Sequence, residues 1–285
     1  MLKLALSLFT GACLLGLAAS PPSIGIVKST GEYRVNGSPV PGNSTLFEGD
    51  IVETAAARSV VQLGAAQFTL LPASRAHIFR DRTVLEKGSG LLAGAQNQVV
   101  EAATLRIVQT GKNSVVQVEI SAPNQVSVAA REGGAEVRNS SGVLVASLRT
   151  GMALAFEPQS GASTAVKMTG TVTTQNGKYY LTDENTHVKV ELQGQDLEAF
   201  VGKEVDMEGS AIPGAAVSGG ASQVVQVVTI TVVKRRRPAG AGAGGGGGLS
   251  HGATAAIIGG VAVAGTMVGL ASAGTFSGAA AASVP

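Results

Sequence analysis

The stretch that decides the fold is Val115-Val116-Gln117-Val118-Glu119-Ile120, followed after a short break by Gln125-Val126-Ser127-Val128-Ala129. Apolar and polar residues alternate in both runs, which is the period of a β-strand with one buried face. Such short runs at close spacing predict β-strands separated by turns. Residues 24–233 show no convincing helical periodicity.

The same alternation is present earlier in the chain, at Ser59-Val60-Val61-Gln62-Leu63 and Gln67-Phe68-Thr69-Leu70-Leu71. Glycine and asparagine, which accept a positive φ readily, predict tight turns between the runs. These turns are expected at Asn36-Gly37, Gly133-Gly134, Ser141-Gly142 and Asn176-Gly177. The pattern predicts an all-β protein built as a sandwich, barrel or β-solenoid.

The composition argues against a nucleic-acid partner. Such a protein spreads Lys and Arg over a folded face with stacking aromatics between them. Here the net charge is only +2, there is no Trp, and the basic excess lies largely in one run.

The first residues predict export. A basic start, an apolar run over residues 4–18 and the small residues Ala18 and Ala19 are typical of a secretory signal peptide, here residues 1–19. A lipoprotein acylated at Cys13 is the alternative. Cys13 is the only cysteine, so the mature protein would form no disulfide and no Cys-ligated metal site. We expect a periplasmic or cell-envelope location.

Four motifs follow one another in the first part of the chain: Leu46-Phe47-Glu48-Gly49-Asp50-Ile51-Val52-Glu53-Thr54, Pro72-Ala73-Ser74, Leu85-Glu86-Lys87-Gly88, and residues 142–151, which end at Gly151. In this order they resemble the FecR-type periplasmic domain. The resemblance implies a β-solenoid-like or sandwich domain over residues 24–158. It also implies a structural role for the motif residues Gly49, Asp50, Thr54, Pro72, Ser74, Gly88 and Gly151.

The sequence departs from that family in three respects. The Gly-Thr that the family carries before a central strand is reversed here, as Thr110-Gly111. Gly64-Ala65-Ala66 stands where the family often has Asp-Gly. Signalling members also carry a cytoplasmic segment and a membrane helix ahead of this domain, so we do not expect this chain to control a sigma factor directly.

A second unit is predicted over residues 165–233. Its strand runs, with one helix-like turn over residues 195–200, resemble a small OB-like barrel, a fold that often binds oligonucleotides or sugars. The adjacent Tyr179 and Tyr180 must point to opposite faces of one strand, so we expect one of them to be buried.

Residues 234–252 combine a basic run with a Gly-rich linker. The basic run could contact anionic headgroups at a membrane surface, or simply separate the barrel from the linker. Its residues are Lys234, Arg235, Arg236 and Arg237.

Residues 253–273 are uncharged and long enough to span the hydrocarbon core, which predicts a transmembrane helix. The small residues Gly265, Gly269 and Ala273 recur at four-residue spacing, so the helix could also pair copies of the chain into a homo-oligomer. A Gly/Ala-rich tail without a helix is the alternative, and residues 274–285 are expected to be disordered.

The side chains that could carry chemistry are dispersed. His77, His187 and His251 have no second ligand at metal spacing, and no Gly-x-Ser-x-Gly elbow is present. Asp206 and Glu208 share one face of a strand, which a solvated surface explains better than a pair of acid and base catalysts.

These observations predict a binding, signalling or scaffold protein without enzymatic activity, metal or cofactor. An envelope protein or polysaccharide is the expected partner. A secreted carbohydrate-binding or adhesion protein that uses the barrel is the alternative, and an envelope hydrolase with paired carboxylates is a third class.

Overall fold

The computed structural model describes residues 22–94, 98–158, 165–233, 256–258 and 261–264. Its regular elements are β-strands and one short 3-10 helix, Leu197–Phe200, so the prediction of an all-β protein is confirmed. Within these residues, no helix is long and apolar enough to cross a membrane.

The first unit contains sixteen strands, most of them short. They are β1 (Gly25–Ser29), β2 (Tyr33–Val35), β3 (Ser38–Val40), β4 (Ser44–Leu46), β5 (Asp50–Thr54), β6 (Ser59–Leu63), β7 (Ala66–Leu70), β8 (Arg75–Ile78), β9 (Arg82–Gly94), β10 (Val99–Ala102), β11 (Leu105–Gln109), β12 (Val115–Ala122), β13 (Gln125–Glu132), β14 (Ala135–Asn139), β15 (Leu144–Leu148) and β16 (Ala153–Pro158).

These strands form two sheets, and the chain passes back and forth between them. One sheet has the order β4-β1-β6-β7-β9-β12-β13-β16. The other has the order β3-β2-β5-β8-β9-β10-β11-β14-β15. Within the first unit all described pairs are antiparallel except β9 with β10. Hairpins that alternate between two sheets combine features of a sandwich and of a solenoid.

Strand β9 belongs to both sheets because it crosses from one to the other. Its first half pairs with β8 and β10, and its second half pairs with β7 and β12. The crossing requires glycine at two positions. Gly88 has a φ of +78°, and a Cβ at Gly90 would lie 2.3 Å from the ring of Phe68.

The buried side chains alternate along the strands and meet in one hydrophobic cluster. The largest of them in the first unit include Phe68, Phe156, Leu92 and Ile107, all fully buried. Burying each such side chain stabilises the fold by roughly 1.5–3 kcal/mol. The alternation seen in the sequence therefore reports the core directly.

The second unit is a closed barrel of five strands. They are β17 (Ala165–Gln175), β18 (Lys178–Asp183), β19 (Lys189–Gln193), β20 (Glu204–Ala211) and β21 (Val224–Val232). Strands β17, β18 and β19 pair in sequence, β17 also pairs with β20, and β20 pairs with β21. A short parallel pairing of β19 with β21 closes the ring. The 3-10 helix Leu197–Phe200 lies where the helix-like turn was predicted.

Two of the predicted turns have the backbone that their sequence demands. Asn36 and Gly37 have φ angles of +50° and +77°, and Asn176 and Gly177 have φ angles of +52° and +73°. Positive φ at both central residues is typical of a type I′ hairpin turn. Gly133 and Gly142 also have positive φ. These turn predictions are confirmed.

The prediction of a transmembrane helix over residues 253–273 is wrong for the part that the structure describes. That part forms a hairpin of two short strands, β22 (Ala256–Ile258) and β23 (Val261–Ala264). Strand β23 pairs with β16, and β22 approaches β17 at one residue pair. The physical reason lies in Val261-Ala262-Val263-Ala264, whose period of two buries the valines against a sheet.

Candidate functional site

The barrel contains a strand with a free edge. Strand β21 pairs with β20 along most of its length, but it pairs with β19 only from Val224 to Gln226. Beyond Gln226, none of the residues described by the structure pairs with the second edge of β21. We call residues 227–232 the β21 free edge.

The free edge exists because β19 ends early. Strand β19 stops at Gln193, and the chain then turns at Gly194 toward the 3-10 helix Leu197–Phe200. A Cβ at Gly194 would lie 3.3 Å from Cβ of Val227, so the turn passes close to β21 before it leaves. The following residues of β21 therefore lose their strand partner.

The polar backbone groups of the free edge alternate in direction. Val233 N–H donates to the carbonyl oxygen of Glu204 at 2.9 Å, which fixes that pair as hydrogen-bonded. In an antiparallel ladder the bonded pairs alternate with non-bonded ones. Thr231 therefore faces β20 with its N–H and C=O groups. Ile230 and Val232 direct theirs outward, where a further strand could bond to them.

The side chains on the free edge are largely apolar. Val228 is 75% exposed and Val232 is 45% exposed. Val228 lies where the register of β20 and β21 shifts between Glu208 and Gly209, a β-bulge. Bulges commonly re-aim a side chain at a sheet edge, which accounts for the outward position of Val228.

A polar network on the outer face of β18 and β19 fixes the loop over residues 212–223. Lys178 Nζ donates to Glu191 Oε1 at 2.8 Å, and Ser218 Oγ donates to Glu191 Oε2 at 2.8 Å. The Tyr180 hydroxyl lies 2.8 Å from Ser218 Oγ. Lys189 Nζ sits 4.2 Å from the centre of the Tyr180 ring, a cation–π contact.

The charges of this network are held in their ionised forms. The hydrogen bond from Lys178, followed by that from Ser218, lowers the pKa of Glu191. The hydrogen bond to Glu191 raises the pKa of Lys178. The hydrogen bonds that Ser218 makes to Lys178, Tyr180 and Glu191 anchor Ser218 and its loop to the outer face of the barrel.

Three residues of the sequence motifs described above, distant from one another along the chain, meet in the first unit. The Ser74 N–H donates to Thr54 Oγ1 at 2.9 Å, and Ser74 Oγ exchanges two hydrogen bonds of 2.9 Å with the backbone of Ser89. Gly88 has no room for a side chain, because a Cβ there would lie 2.4 Å from Ser74 Oγ. We call Thr54, Ser74, Gly88 and Ser89 the Ser74 hub.

The carboxylate of Asp50 organises the turn that precedes β5. Its Oδ2 accepts the N–H of Phe47 at 2.7 Å, and its Oδ1 accepts a hydrogen bond from Asn36 Nδ2 at 2.8 Å. Gly49, which directly precedes Asp50 in the motif, has a φ of +85°. Asp50 and Gly49 thus form the turn with Asn36.

Pro72 and Gly151 contribute in smaller ways. The carbonyl oxygen of Pro72 lies 3.3 Å from Ser74 Oγ, which places Pro72 beside the Ser74 hub. Gly151 has a φ of +82°, and its N–H donates to the carbonyl oxygen of Ala130 at 2.7 Å. These contacts fix two turns between strands.

Two of the cavities on the described surface exceed 500 Å³. The first, of about 560 Å³, lies beside β2, β3 and β5 and is lined by Tyr33, Arg34 and Pro39 among others. Burial raises the pKa of the Tyr33 hydroxyl. The second, of about 550 Å³, lies by the 3-10 helix and is lined by Tyr179, Asp196 and Glu198 among others.

The two tyrosines of β18 lie on opposite faces, as predicted. Tyr180 is 2% exposed. It is covered by the loop over residues 212–223, since a Cβ at Gly219 would lie 2.7 Å from its ring and hydroxyl. Tyr179 packs partly against the hydrophobic cluster and lines the second cavity.

The carboxylates and histidines singled out in the sequence are dispersed over the described surface. Asp206 accepts a bond of 2.6 Å from Thr169, and Glu208 pairs with Lys167 at 2.8 Å. His77 lies 2.8 Å from Glu86. Among the residues with described positions, no three His, Cys, Asp or Glu side chains are grouped so that they could hold a metal ion.

Several predictions fall outside the described residues. They concern the signal peptide over residues 1–19 with Cys13, the basic residues Lys234, Arg235, Arg236 and Arg237, His251, the helix-contact residues Gly265, Gly269 and Ala273, and the tail over residues 274–285.

Comparison with known proteins gives no assignment: no family model matches the chain, and no curated protein matches it.

Sequence reasoning missed both the β21 free edge and the Glu191 network. The free edge depends on where β19 ends. In the sequence, only Gly194 indicated that the strand ends at Gln193. The network joins residues up to 40 positions apart, Lys178 and Ser218. A polar residue at every second position of β18 and β19 was the only local signal.

Proposed function

We propose that this protein is a non-enzymatic binding or scaffold module of the bacterial envelope that takes up a protein or polymer partner along the β21 free edge. The observation that carries the proposal is the edge itself. Its outward backbone groups at Ile230 and Val232 lie beside two exposed valines, Val228 and Val232.

Strand addition is the binding mode that such an edge supports. An extended partner gains affinity from main-chain hydrogen bonds and specificity from alternate side chains. A free edge with apolar side chains is also the feature that soluble proteins usually avoid, because it pairs with other chains. Its presence on a strand of nine residues therefore favours a binding role.

The family assignment is part of the same proposal. The alternation of hairpins between two sheets and the convergence of Thr54, Ser74 and Gly88 support a FecR-like first unit. The ring of five strands, with its parallel closure by β19 and β21, supports an OB-like second unit. The N-terminal sequence supports export to the periplasm or cell envelope.

Binding assays with an edge variant test the proposal. Cells that express the full chain or the double variant Val228→Lys, Val232→Lys are crosslinked, and the chain is then captured from their envelope fraction together with any bound partner. Lysine is chosen because edge lysines oppose strand pairing. The matched control is Val228→Thr, Val232→Thr, which keeps β-branched side chains. We expect the lysine variant to lose one reproducible partner that the wild type and the control retain. Equal capture by all three chains would refute a binding role for this edge.

A carbohydrate-binding role for the barrel is the second candidate, and the cavity beside the 3-10 helix favours it. A volume of about 550 Å³ with Tyr179, Asp196 and Glu198 in its lining offers an aromatic ring and hydrogen-bond acceptors for a sugar. A glycan array probed with the full chain and with Tyr179→Ala tests it. Specific glycan signals that Tyr179→Ala abolishes would favour this role over strand addition.

A further inference from the structure

The hairpin β22–β23 fills a slot between the two units. Strand β23 pairs with β16 from Ala155↔Ala264 to Pro158↔Val261, and β22 approaches β17 at Lys167↔Ile257. Its inward side chains are buried against both units: Ala256, Ile258, Val261 and Val263. The hairpin therefore supplies the strands that join the sheet of the first unit to the barrel.

The hairpin depends on this slot for its structure. Its strands have three and four residues, and an isolated two-stranded hairpin is marginal at best in water. It is held by the ladder to β16 and by the packing of uncharged side chains, such as Val263 opposite Phe156. Every copy of the chain presents the same ladder and the same buried surface.

The sequence that precedes the hairpin has a composition typical of interdomain linkers. Residues 238–248 are nearly all Gly and Ala, with almost no side chains to pack. A tether of this kind gives an effective concentration on the order of mM at its own slot. A second copy competes for the slot when the concentration of chains approaches this effective concentration. Exchange of identical elements is a low-cost route to dimers.

We propose that β22–β23 is exchanged between copies of this chain, so that the hairpin of one copy occupies the slot between β16 and β17 of another. The contact is a self-association through strands, in place of the helix pairing that the sequence suggested. It involves neither the β21 free edge nor the partner proposed for that edge.

Mixed single-cysteine variants test the exchange, in full chains that carry Cys13→Ser. One chain carries Ala155→Cys and a tag that changes its mass, and the other carries Ala264→Cys; these positions face each other in the ladder. Under mild oxidation we expect a mixed disulfide dimer at least about tenfold above a control that pairs Ala155→Cys with Ala216→Cys in an exposed loop. The yield should rise with protein concentration.

A chain that carries both Ala155→Cys and Ala264→Cys makes every outcome decisive. It should close an internal disulfide in dilute solution, which establishes that the pair is close enough to react. If it closes while the mixed variants give no more dimer than the Ala216→Cys control, the hairpin stays in its own copy and the proposal is wrong. If the double variant does not close, the hairpin does not occupy the slot, and the proposal is wrong for that reason.

Discussion

The two units differ in how the edges of their sheets are protected. In the first unit the edge strands β3 and β4 have three residues each, and β3 contains Pro39. The edge strand β15 donates the Ser147 N–H to the carbonyl oxygen of Thr186 in the barrel at 2.7 Å. Short strands, proline and coverage are the usual means of preventing edge pairing.

The barrel lacks these features at β21. That strand has nine residues, and its last six carry exposed valines beside backbone groups that no described residue pairs with. Among the described residues, the chain therefore protects the sheet edges of the first unit and leaves the β21 free edge of the barrel unpaired. This contrast supports the proposal that the first unit is a framework and that the barrel takes up the partner.

The largest effect is expected where the framework is tightest, at the crossing point of β9. Gly88→Val places a Cβ 2.4 Å from Ser74 Oγ and forces a β-branched residue to a φ of +78°. We expect a loss of about 3 kcal/mol or more in the free energy of unfolding of the first unit. Chemical denaturation followed by circular dichroism measures it.

Gly142→Val is the matched control for that substitution. Gly142 has a φ of +79° with nothing within 4 Å of an added Cβ, so only backbone strain of about 1–2 kcal/mol applies. Equal losses for Gly88→Val and Gly142→Val would show that the Ser74 hub is not tightly packed.

A smaller loss is expected from Ser74→Ala. The Ser74 side chain, in a residue only 2% exposed, accepts the N–H of Ser89 and donates to its carbonyl oxygen. Removing it leaves the Ser89 N–H without this acceptor, whereas the Ser89 carbonyl oxygen still accepts the N–H of Leu71 at 2.9 Å. The expected cost is about 1–3 kcal/mol in unfolding free energy. Ser44→Ala, which loses only an exposed bond of 3.3 Å to Thr45, should change stability by less than about 0.5 kcal/mol. The same denaturation assay distinguishes them.

The barrel should show a pH dependence that originates in Glu191. Its pKa is lowered in the folded state, so its contribution is present above the unfolded-state pKa of about 4.3 and is lost as pH falls through the lower folded value. The raised pKa of Lys178 has the opposite sign: its contribution is lost only as pH rises above the ordinary Lys value of about 10.4. Between these limits the pair contributes a constant amount.

Glu191→Gln tests this dependence. The variant loses charge-assisted bonds at a side chain that is 4% exposed, with an expected cost of about 1 kcal/mol at pH 7. The difference in melting temperature between wild type and variant should shrink as pH falls from 6 to about 3. A difference that stays constant over this range would contradict the assigned charge state of Glu191.

The finest test of the contrast is amide hydrogen exchange on β21 in the isolated protein. The N–H of Thr231 faces β20, whereas those of Ile230 and Val232 face outward. We expect Thr231 to exchange at least about tenfold more slowly than Val232. Equal protection of the two amides, measured by NMR, would mean that something already covers the edge.

Sequence alone predicted the local parts of this architecture. The alternation at residues 115–129 gave the strands, Asn36-Gly37 and Asn176-Gly177 gave two turns, and the helix-like turn before β20 was placed correctly. These features depend on neighbours along the chain, which a sequence displays directly.

The missed features depend on partners that are distant along the chain. The meeting of Thr54 with Ser74, and the end of β19 beside β21, follow from strand pairing that periodicity does not report. The C-terminal error had a different cause. Length and lack of charge in residues 253–273 suggested a helix, although Val261-Ala262-Val263-Ala264 alternates with the period of a strand.

Photo-crosslinking in intact cells from two single positions tests most directly whether the β21 free edge takes up a partner. A photoreactive residue replaces Val232 on the β21 free edge or Thr45 on the short edge strand β4; both side chains are exposed. If the β21 free edge takes up the partner, Val232 gives a discrete adduct and Thr45 gives none. An adduct from Thr45 with none from Val232 would contradict this proposal, because the protected edge would then be the one that binds.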